Sequence, residues 1–187
     1  MKYFFDTEFI EDGKTIELLS IGIVSEDGRE FYAENFNADH TKADDWVKEN
    51  VIKHLWSRQS EKSPYNAWIR DGGIGGLLYH KEIAYEVKQF LGESPEFYAY
   101  YADYDWVVFC QLFGRMIDLP EGFPMYCRDL KQTLDEYANH LGLSADAVKC
   151  MDGYPTQGNK HNALDDAKWN LALYNFLQGK LSNSDIG

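Results

Sequence analysis

The stretch YFFDTEFIEDGKTIELLSIGIVSEDGREFYA, residues 3–33, decides the expected fold. We interpret three apolar runs as strands, the last continuing just past this stretch: 3–10, 15–25 and 29–36. Asp12-Gly13 and Asp27-Gly28 separate the runs, and both dipeptides are favoured in tight hairpin turns. The sequence therefore predicts an antiparallel meander of three strands at the start of the chain.

After the meander, the apolar residues recur with the period of a helix. Helices are predicted at about 42–55, 79–92, 104–117, 129–142 and 162–179. A short aromatic strand is predicted at 96–101, and residues 57–78 are predicted to form a long loop. This order predicts an α/β fold with a mixed β-sheet, in which three antiparallel strands are followed by parallel strands and helices flank the sheet.

The composition indicates a single domain, predicted over residues 1–180, with a loose tail at 181–187. Hydrophobic residues make up 44% of the 187 residues and charged residues 26%, so neither a disordered nor a fibrous chain is expected. Because no apolar run approaches the roughly 18 residues of a membrane span, no membrane partner is expected. The three cysteines form no CxxC pair, which argues against a disulfide framework or a zinc site and favours the cytoplasm.

Asp6 and Glu8 place two acids inside an otherwise apolar strand. Side chains alternate across a strand, so both carboxylates are expected on one face, with Thr7 and Phe9 on the other. Two neighbouring carboxylates repel each other unless a cation lies between them, and a hard divalent ion suits converging oxygens. An isolated DxE is more often a solvated strand end, so a metal site requires further ligands from elsewhere in the chain.

Two later segments offer such ligands. YYADYDWVVF contains Asp103 and Asp105 where a helix is predicted to begin, although an aspartate there also serves as a helix cap. HNALDDAKWN contains His161, Asp165 and Asp166. The sequence leaves open whether His161 lies in the helix or in the loop that precedes it. In a continuous helix Asp165 would share the face of His161, and Asp166 would be rotated by roughly 140°. Spacing alone therefore leaves both aspartates open.

With these three segments the chain resembles the DEDDh exonucleases, RNase H-like enzymes that act from a 3′ end. The pattern of that family is DxE on the first strand, an aspartate at a YDxxVFC-like helix start, and a histidine followed five residues later by an aspartate. The matching residues here are Asp6, Glu8, Asp105, His161 and Asp166. The choice of Asp166 over Asp165 rests on this resemblance.

A closer likeness is to the RNase AS group of exoribonucleases, which trim polyadenylate-type RNA. It is carried by residues 3–33 and by DDWVKENVIKHL after them, and it covers essentially the whole chain. The likeness thins over 57–90 and between 120 and 155. This chain also has Trp106 where that group has a histidine.

The resemblance implies a two-metal phosphodiesterase that hydrolyses single-stranded RNA from its 3′ end, with a preference for adenylate. Asp6 is expected to bridge two ions, Glu8 and Asp166 to hold one of them, and Asp105 to position the other, mainly through water. His161 is expected to be the general base that accepts a proton from water. Mg²⁺ or Mn²⁺ is the expected cofactor, since oxygen ligands suit hard ions. The family also implies a homodimer.

The net charge of −13 opposes a long nucleic-acid groove. Two divalent ions would raise the charge only to about −9, so we expect the enzyme to hold only the last few nucleotides, through metals and base stacking. Trp106 and Tyr104 are the candidate base contacts, and Lys160 is the candidate phosphate contact. DGGIGG lacks the ending of a phosphate loop and is interpreted as a flexible hinge or lid.

Other functions are compatible with the same residues. An exodeoxyribonuclease would share the fold and the metal ligands, because the contacts to the ribose 2′-hydroxyl cannot be located from one sequence. A catalytically silent nucleic-acid-binding module would keep the scaffold without turnover. A metal-buffering protein would bind ions whether or not His161 is present.

Overall fold

A computed structural model of the protein describes residues 1–59, 74–158 and 160–184. Within them, the centre is a six-stranded sheet in the order β4-β3-β2-β1-β5-β6. The strands are β1 (Lys2–Glu11), β2 (Ile16–Ser25), β3 (Glu30–Asn35), β4 (Ile74–Leu78), β5 (Glu96–Ala99) and β6 (Arg128–Asp129). β1 to β3 are antiparallel, and the other three strands join in parallel, which confirms the predicted mixed α/β sheet.

Helices flank this sheet. In the part of the chain that the structure describes, they are α1 (Asp45–Asn50), α2 (Trp56–Gln59), α3 (His80–Leu91), α4 (Ala102–Gln111), α5 (Leu130–His140), α6 (Ala145–Lys149) and α7 (Ala163–Ser184). Asp44 caps α1 by accepting a hydrogen bond from the backbone N–H of Val47, and Asp129 caps α5 in the same way. None of the described helices has the length and apolar character of a membrane-spanning segment.

The pairing of β1 leaves part of one edge free. On one side β1 pairs with β2 along its whole length, with a shift in register after Glu8. On the other side it pairs with β5 only at Lys2, Tyr3 and Phe4. Beyond Phe4, the backbone of β1 on that side needs other hydrogen-bond partners.

The region predicted as a long loop, residues 57–78, contains regular structure at both ends. α2 begins at Trp56, and β4 pairs in parallel with β3 from Phe31–Ile74 to Asn35–Leu78. The strand was not predicted because Gly75 and Gly76 lie inside it, and glycine weakens a strand pattern. Residues 60–73, which hold the first part of the predicted hinge or lid, lie outside the described residues.

Other differences from the predictions lie at the ends of helices. α4 ends at Gln111, where a helix to 117 was predicted, because Gly114 soon follows with a φ of 120°. β6 and α6 were not predicted, since they have only 2 and 5 residues. α7 continues to Ser184, so residues 181–184 of the predicted loose tail are helical, and Leu181 packs against the core.

The two faces of the sheet carry separate cores. Tyr3 and Phe5 pack on the face covered by α3 and α4, whereas Phe4 packs on the face covered by α5 and α7. The alternation along β1 thus sends odd-numbered side chains toward α4 and even-numbered ones toward α7. Asp6 and Glu8 are consequently directed to the α7 face.

Candidate active site

The centre of the site is a group of three carboxylates. Asp6 and Glu8 project from β1, and Asp166 projects from the first turn of α7. One oxygen atom from each lies within 4.8 Å of one from each of the others. Glu8 and Asp166 are buried, with 9% and 7% exposure. The two acids of the DxE motif and the second aspartate of the DD pair therefore meet in space, whereas Asp165 does not belong to this group.

A close approach between α7 and β2 brings Asp166 to the strand. Gly22 lies opposite Asp6 in the sheet, and a Cβ atom at Gly22 would lie 2.3 Å from the carbonyl carbon of Ala163. Only glycine leaves room for the start of α7 at this place. Farther along the helix, the side-chain amide of Asn170 donates to the backbone carbonyl of Phe5 at 2.9 Å and fixes α7 on β1.

His161 precedes α7 in a turn. Its φ is +64°, a left-handed conformation that non-glycine residues rarely adopt. Asn162 then caps the helix, because its side-chain oxygen accepts from the backbone N–H groups of Leu164 and Asp165. His161 therefore lies outside the helix, and its five-residue separation from Asp166 does not direct the two side chains apart.

Several contacts hold Asp166 and His161. One oxygen of Asp166 accepts from the side-chain amide of Gln157 at 2.6 Å, and the other accepts from the backbone N–H of His161 at 2.9 Å. The imidazole of His161 meets the ring of Trp46 edge to face, with 4.9 Å between ring centroids. The backbone of His161 thus orients a carboxylate, and Trp46 contacts its side chain.

Asp105 reaches the site from α4, along the free edge of β1. One of its oxygens accepts from the backbone N–H of Thr7 at 2.8 Å and from the hydroxyl of Thr7 at 2.6 Å. The carboxylate of Asp105 therefore accepts a hydrogen bond from a backbone N–H of β1 that lies beyond the pairing with β5. Tyr101, just before α4, has a φ of +57°. Tyr101 and His161 are the two positive-φ non-glycine residues in the described part of the chain, and each lies one or two residues before a helix that carries an acid of the site.

The acids are electrostatically strained without a cation. Burial, with repulsion from Asp105, Glu8 and Asp166, raises the pKa of Asp6 well above its usual range. Burial, with repulsion from Asp166 and Asp105, raises the pKa of Glu8 to about 8. Within the described residues, no hydrogen-bond donor contacts the carboxylate of Asp6 or Glu8.

The other two acids have partners that offset part of this effect. Burial raises the pKa of Asp105 to about 6, although both hydrogen bonds from Thr7 oppose the rise. Burial also raises the pKa of Asp166, against hydrogen bonds from Gln157 and His161. Four acids with raised pKa values in one place fit a site that binds positive charge.

The donor atoms fit hard divalent cations. All of them are carboxylate oxygens, which Mg²⁺ and Mn²⁺ prefer, and the cysteines contribute none. Asp6, Glu8 and Asp166 could hold one ion. Asp105 lies outside this close group of three, and its repulsion contributes to the raised pKa values of Asp6 and Glu8.

The three grouped carboxylates open into a cleft of about 410 Å³, whose lining does not include Asp105. Asp6, Glu8 and Asp166 form one part of its lining, and His161 and Trp46 form another. Tyr100, Phe9 and Trp169 add aromatic surface. The cleft is large enough for a nucleotide at the 3′ end of a strand, with acids and a histidine on its walls.

The three residues predicted to contact the substrate, Trp106, Tyr104 and Lys160, lie in three different surroundings. Trp106 stacks on Phe109 at 5.2 Å and contacts Phe97 at 5.3 Å, because both partners lie on the core side of α4. Trp106 is partly buried, packs against the core and does not line this cleft, and its role as a base contact stays a prediction. Tyr104 is 54% exposed and lines a neighbouring cleft, and Lys160 is exposed directly before His161.

Sequence reasoning missed four residues that position the site: Thr7, Gly22, Trp46 and Gln157. A glycine inside a strand signals a close backbone approach, so Gly22 carried a readable signal. Trp46 carried only the helical spacing of residues 42–55, which does not indicate the side chain that it contacts. Thr7 and Gln157 carried no local signal, because their roles depend on which side chains pack beside them.

Comparisons with known proteins identify the family of the chain. Residues 1–178 match the family described as the 3′-5′ exoribonuclease Rv2179c-like domain. The chain is 34% identical to the 3′-5′ exoribonuclease Rv2179c of Mycobacterium tuberculosis strain H37Rv, over 100% of this chain and 97% of the relative. The same values hold for the 3′-5′ exoribonuclease MT2234.1 of strain CDC 1551. The predicted exoribonuclease enzyme is thereby confirmed, and the chain belongs to the Rv2179c-like family of 3′-5′ exoribonuclease domains.

Proposed function

We propose that the protein removes nucleotides one at a time from the 3′ end of single-stranded RNA, with two Mg²⁺ or Mn²⁺ ions and His161 as general base. The observation that carries the proposal is the convergence of Asp6, Glu8 and Asp166 within 4.8 Å in an open cleft. The names of the relatives support RNA as the substrate. The DEDDh assignment, the likeness to the RNase AS group and the adenylate preference are parts of the same proposal.

The acids would divide the work of holding the ions. Asp6, with no competing donor among the described residues, would bridge both ions, and Glu8 and Asp166 would complete one of them. Asp105 would act on the other with the oxygen that Thr7 does not engage. When bound, the ions would supply Lewis-acid chemistry, neutralising the phosphate and making a water more acidic.

His161 would accept the proton of the attacking water. Its imidazole lines the cleft that also holds the acids, and its backbone N–H fixes Asp166, so base and ligand belong to one turn. Trp46 restricts the imidazole from one side through the edge-to-face contact. Such a proton acceptor contributes about 10² to 10⁴ in rate.

The first test follows product formation from a 5′-labelled RNA ten-mer with Mn²⁺. A 3′-to-5′ exonuclease should produce a ladder that shortens one nucleotide at a time, and a circular RNA of the same sequence should remain intact. A DNA ten-mer of equal sequence, cleaved at the same rate, would favour the exodeoxyribonuclease. Binding of RNA without any product would favour a silent module.

The second test separates the roles of the residues. Asp166→Asn should abolish Mn²⁺ binding measured by calorimetry, and Asp165→Asn serves as the matched neighbour that keeps it. His161→Asn should keep Mn²⁺ binding and lose at least about 100-fold in turnover. If Asp165→Asn were inactive and Asp166→Asn active, the metal ligand would be Asp165 and not Asp166. If His161→Asn stayed fully active, His161 would not be the general base.

The homodimer and the cytoplasmic location implied at the start are further parts of the proposal. Light scattering on a sizing column measures the first directly, and a mass of about 21.6 kDa would mean a monomer. Trp46 is 54% exposed, yet it contacts His161, so a dimer contact through Trp46 would also affect the cleft.

A further inference from the structure

A second cleft lies beside the active site. It has a volume of about 700 Å³ and is lined by the turn between β1 and β2 and by the outer face of α4. Lys14 and Ile16 belong to the first wall, and Tyr104 and Val107 to the second. Glu11 lines both this cleft and the active-site cleft, so the two clefts are neighbours at that residue.

A pair of stacked rings also connects the two clefts. Phe9 lines the active-site cleft, and Tyr104 lines the second one. Their rings are nearly parallel, with an interplanar angle of 17° and 5.8 Å between centroids. Phe9 follows Glu8 and Tyr104 precedes Asp105, so the aromatic pair lies next in sequence to two of the acids.

The second cleft offers a flat apolar surface to a ligand. Tyr104 and Val107 are 54% and 47% exposed, and they are three residues apart, so they share one face of α4. Ile16 adds apolar surface from the opposite wall. A nucleobase is a flat group that stacks on such surfaces.

Lys14 supplies a positive charge at the tip of the turn. Among residues 1–59, 74–158 and 160–184, its side chain forms no ion pair, whereas Lys2, Lys42 and Lys48 each contact an acid. In a chain with a net charge of −13, a lysine without an acidic partner beside a cleft is notable. Asp103 and Glu11 also line the cleft and repel phosphate, and the carboxylate of Glu11 accepts from the backbone N–H of Gly13 at 2.6 Å. Lys14 is the cationic side chain among the described residues of this lining, so it is the group that can attract a phosphate.

We propose that the second cleft binds the nucleotide that precedes the 3′-terminal nucleotide of single-stranded RNA. Its base stacks on Tyr104, and its phosphate contacts Lys14. This inference rests on the proposed function, because the terminal nucleotide must occupy the active-site cleft for its neighbour to reach the second one. It also explains how an acidic enzyme holds RNA without a long basic groove.

The test compares two substrates. An RNA ten-mer fills both clefts, whereas the p-nitrophenyl ester of a nucleoside 5′-monophosphate fills only the active site. Tyr104→Ala should raise KM for the ten-mer about tenfold, with a several-fold smaller effect on the ester. Tyr104→Phe should restore the ten-mer KM, and Tyr85→Ala, an equally exposed tyrosine on α3, is the matched control.

A binding measurement tests the lysine. Fluorescence anisotropy with the labelled ten-mer and Ca²⁺ gives Kd at several salt concentrations. Lys14→Ala should lower the slope of log Kd against log salt by about 0.7, the value for one phosphate contact on a single strand. Lys88→Ala, on α3 and in neither cleft, should leave the slope unchanged.

The outcomes are distinguishable. If Tyr104→Ala raised KM equally for the ten-mer and the ester, Tyr104 would act through the active site. If Lys14→Ala left the salt slope unchanged, Lys14 would not contact a phosphate. Either result overturns the second site and leaves the proposed function intact. A wild-type protein that cleaves neither substrate would overturn the proposed function, and the second site with it.

Discussion

Glu8 and Glu34 lie in one row of the sheet and differ only in their partners. Glu8 on β1 lies opposite Ser20 on β2, which lies opposite Glu34 on β3. Both carboxylates are buried, at 9% and 1% exposure. Glu34 accepts hydrogen bonds from the hydroxyl of Tyr32 at 2.8 Å and from the backbone N–H groups of Trp56 and Ser57, whereas no described donor contacts Glu8.

The difference separates a structural acid from a ligand. The donors around Glu34 replace the water that burial removes, so its charge is satisfied inside the protein and it fixes the start of α2. Glu8 lacks such donors, lines the open cleft and has other acids as neighbours, so a cation bound there would stabilise its charge. Burial of a carboxylate does not itself indicate a metal site; at Glu8 the indication is burial beside other acids with no described donor.

The largest expected effect comes from the ligand. Glu8→Gln keeps the size of the side chain and removes the charge, so turnover on an RNA ten-mer should fall about a thousandfold, since ions at such sites contribute several kcal/mol. Without metal, the same variant should melt at a higher temperature than the wild type, because repulsion among the acids is relieved. Differential scanning fluorimetry with and without Mn²⁺ measures both states. Full activity, or a lower melting temperature without metal, would contradict the assignment of Glu8.

Glu34 should behave in the opposite way. Glu34→Ala leaves one buried and two half-buried donors without their acceptor, and we expect a loss of about 3 kcal/mol in the free energy of unfolding. This corresponds to a fall of about 6–12 °C in melting temperature for a chain of this size. Glu49→Ala, an exposed acid paired with Lys53, is the control and should change stability by less than about 0.5 kcal/mol.

Activity distinguishes this effect from damage to the site. Per folded molecule, Glu34→Ala should bind Mn²⁺ with wild-type affinity, because Glu34 accepts hydrogen bonds from the start of α2 and does not line the active-site cleft. Glu34→Gln, which retains one acceptor oxygen, should lose less stability than Glu34→Ala. If Mn²⁺ binding fell as far as in Glu8→Gln, the distinction between the two acids would fail.

The pH dependence of stability sharpens the same comparison. The pKa of Glu8 is about 8 in the folded protein, above the value of about 4.3 for an exposed glutamate. Folding therefore takes up protons, so the contribution of Glu8 is full below about pH 4 and is lost as the pH rises through about 8. Without metal, the melting temperature should fall by at least about 5 °C between pH 5 and pH 9.

The variants and the metal identify the source of this slope. Glu8→Gln should flatten the fall, Glu34→Gln should not, and saturating Mg²⁺ should oppose it because the ion binds the ionised form. Chemical or thermal denaturation across this pH range in a chelating buffer provides the data. A melting temperature that rises toward pH 9 without metal would reverse the sign and refute the account.

The comparison also explains what could be predicted from the sequence. The meander followed from alternation and Asp-Gly turns, and the acids of the site followed from motifs, because both signals are local. The local sequence does not distinguish the roles of two tryptophans. Trp106 stacks against the core, whereas Trp46 contacts His161. The donors around Glu34 come from residues that are 2 to 23 positions away, so its role depends on the folded chain.

Asp105 is intermediate between Glu8, which has no described donor, and Glu34, which has several. The smallest expected effect comes from removing one donor to Asp105. It is 6% exposed, and Thr7 satisfies one of its oxygens twice, which leaves the other for an ion. Thr7→Val removes the hydroxyl and keeps the backbone N–H, so we expect a loss of about 1 kcal/mol in stability and about tenfold in turnover. The pKa of Asp105 should rise further, because a hydrogen bond that lowers it is gone.

The control for this variant is Thr133→Val, which also loses a hydroxyl hydrogen bond, to the backbone carbonyl of Asp129, but lines neither cleft. It should match Thr7→Val in stability and retain wild-type turnover. Isotope-labelled NMR of the aspartate carboxyl carbons, without metal, would follow the titration of Asp105 in each variant. Equal turnover in the two variants would mean that Thr7 only closes the edge of β1, and that Asp105, like Glu34, is a structural acid.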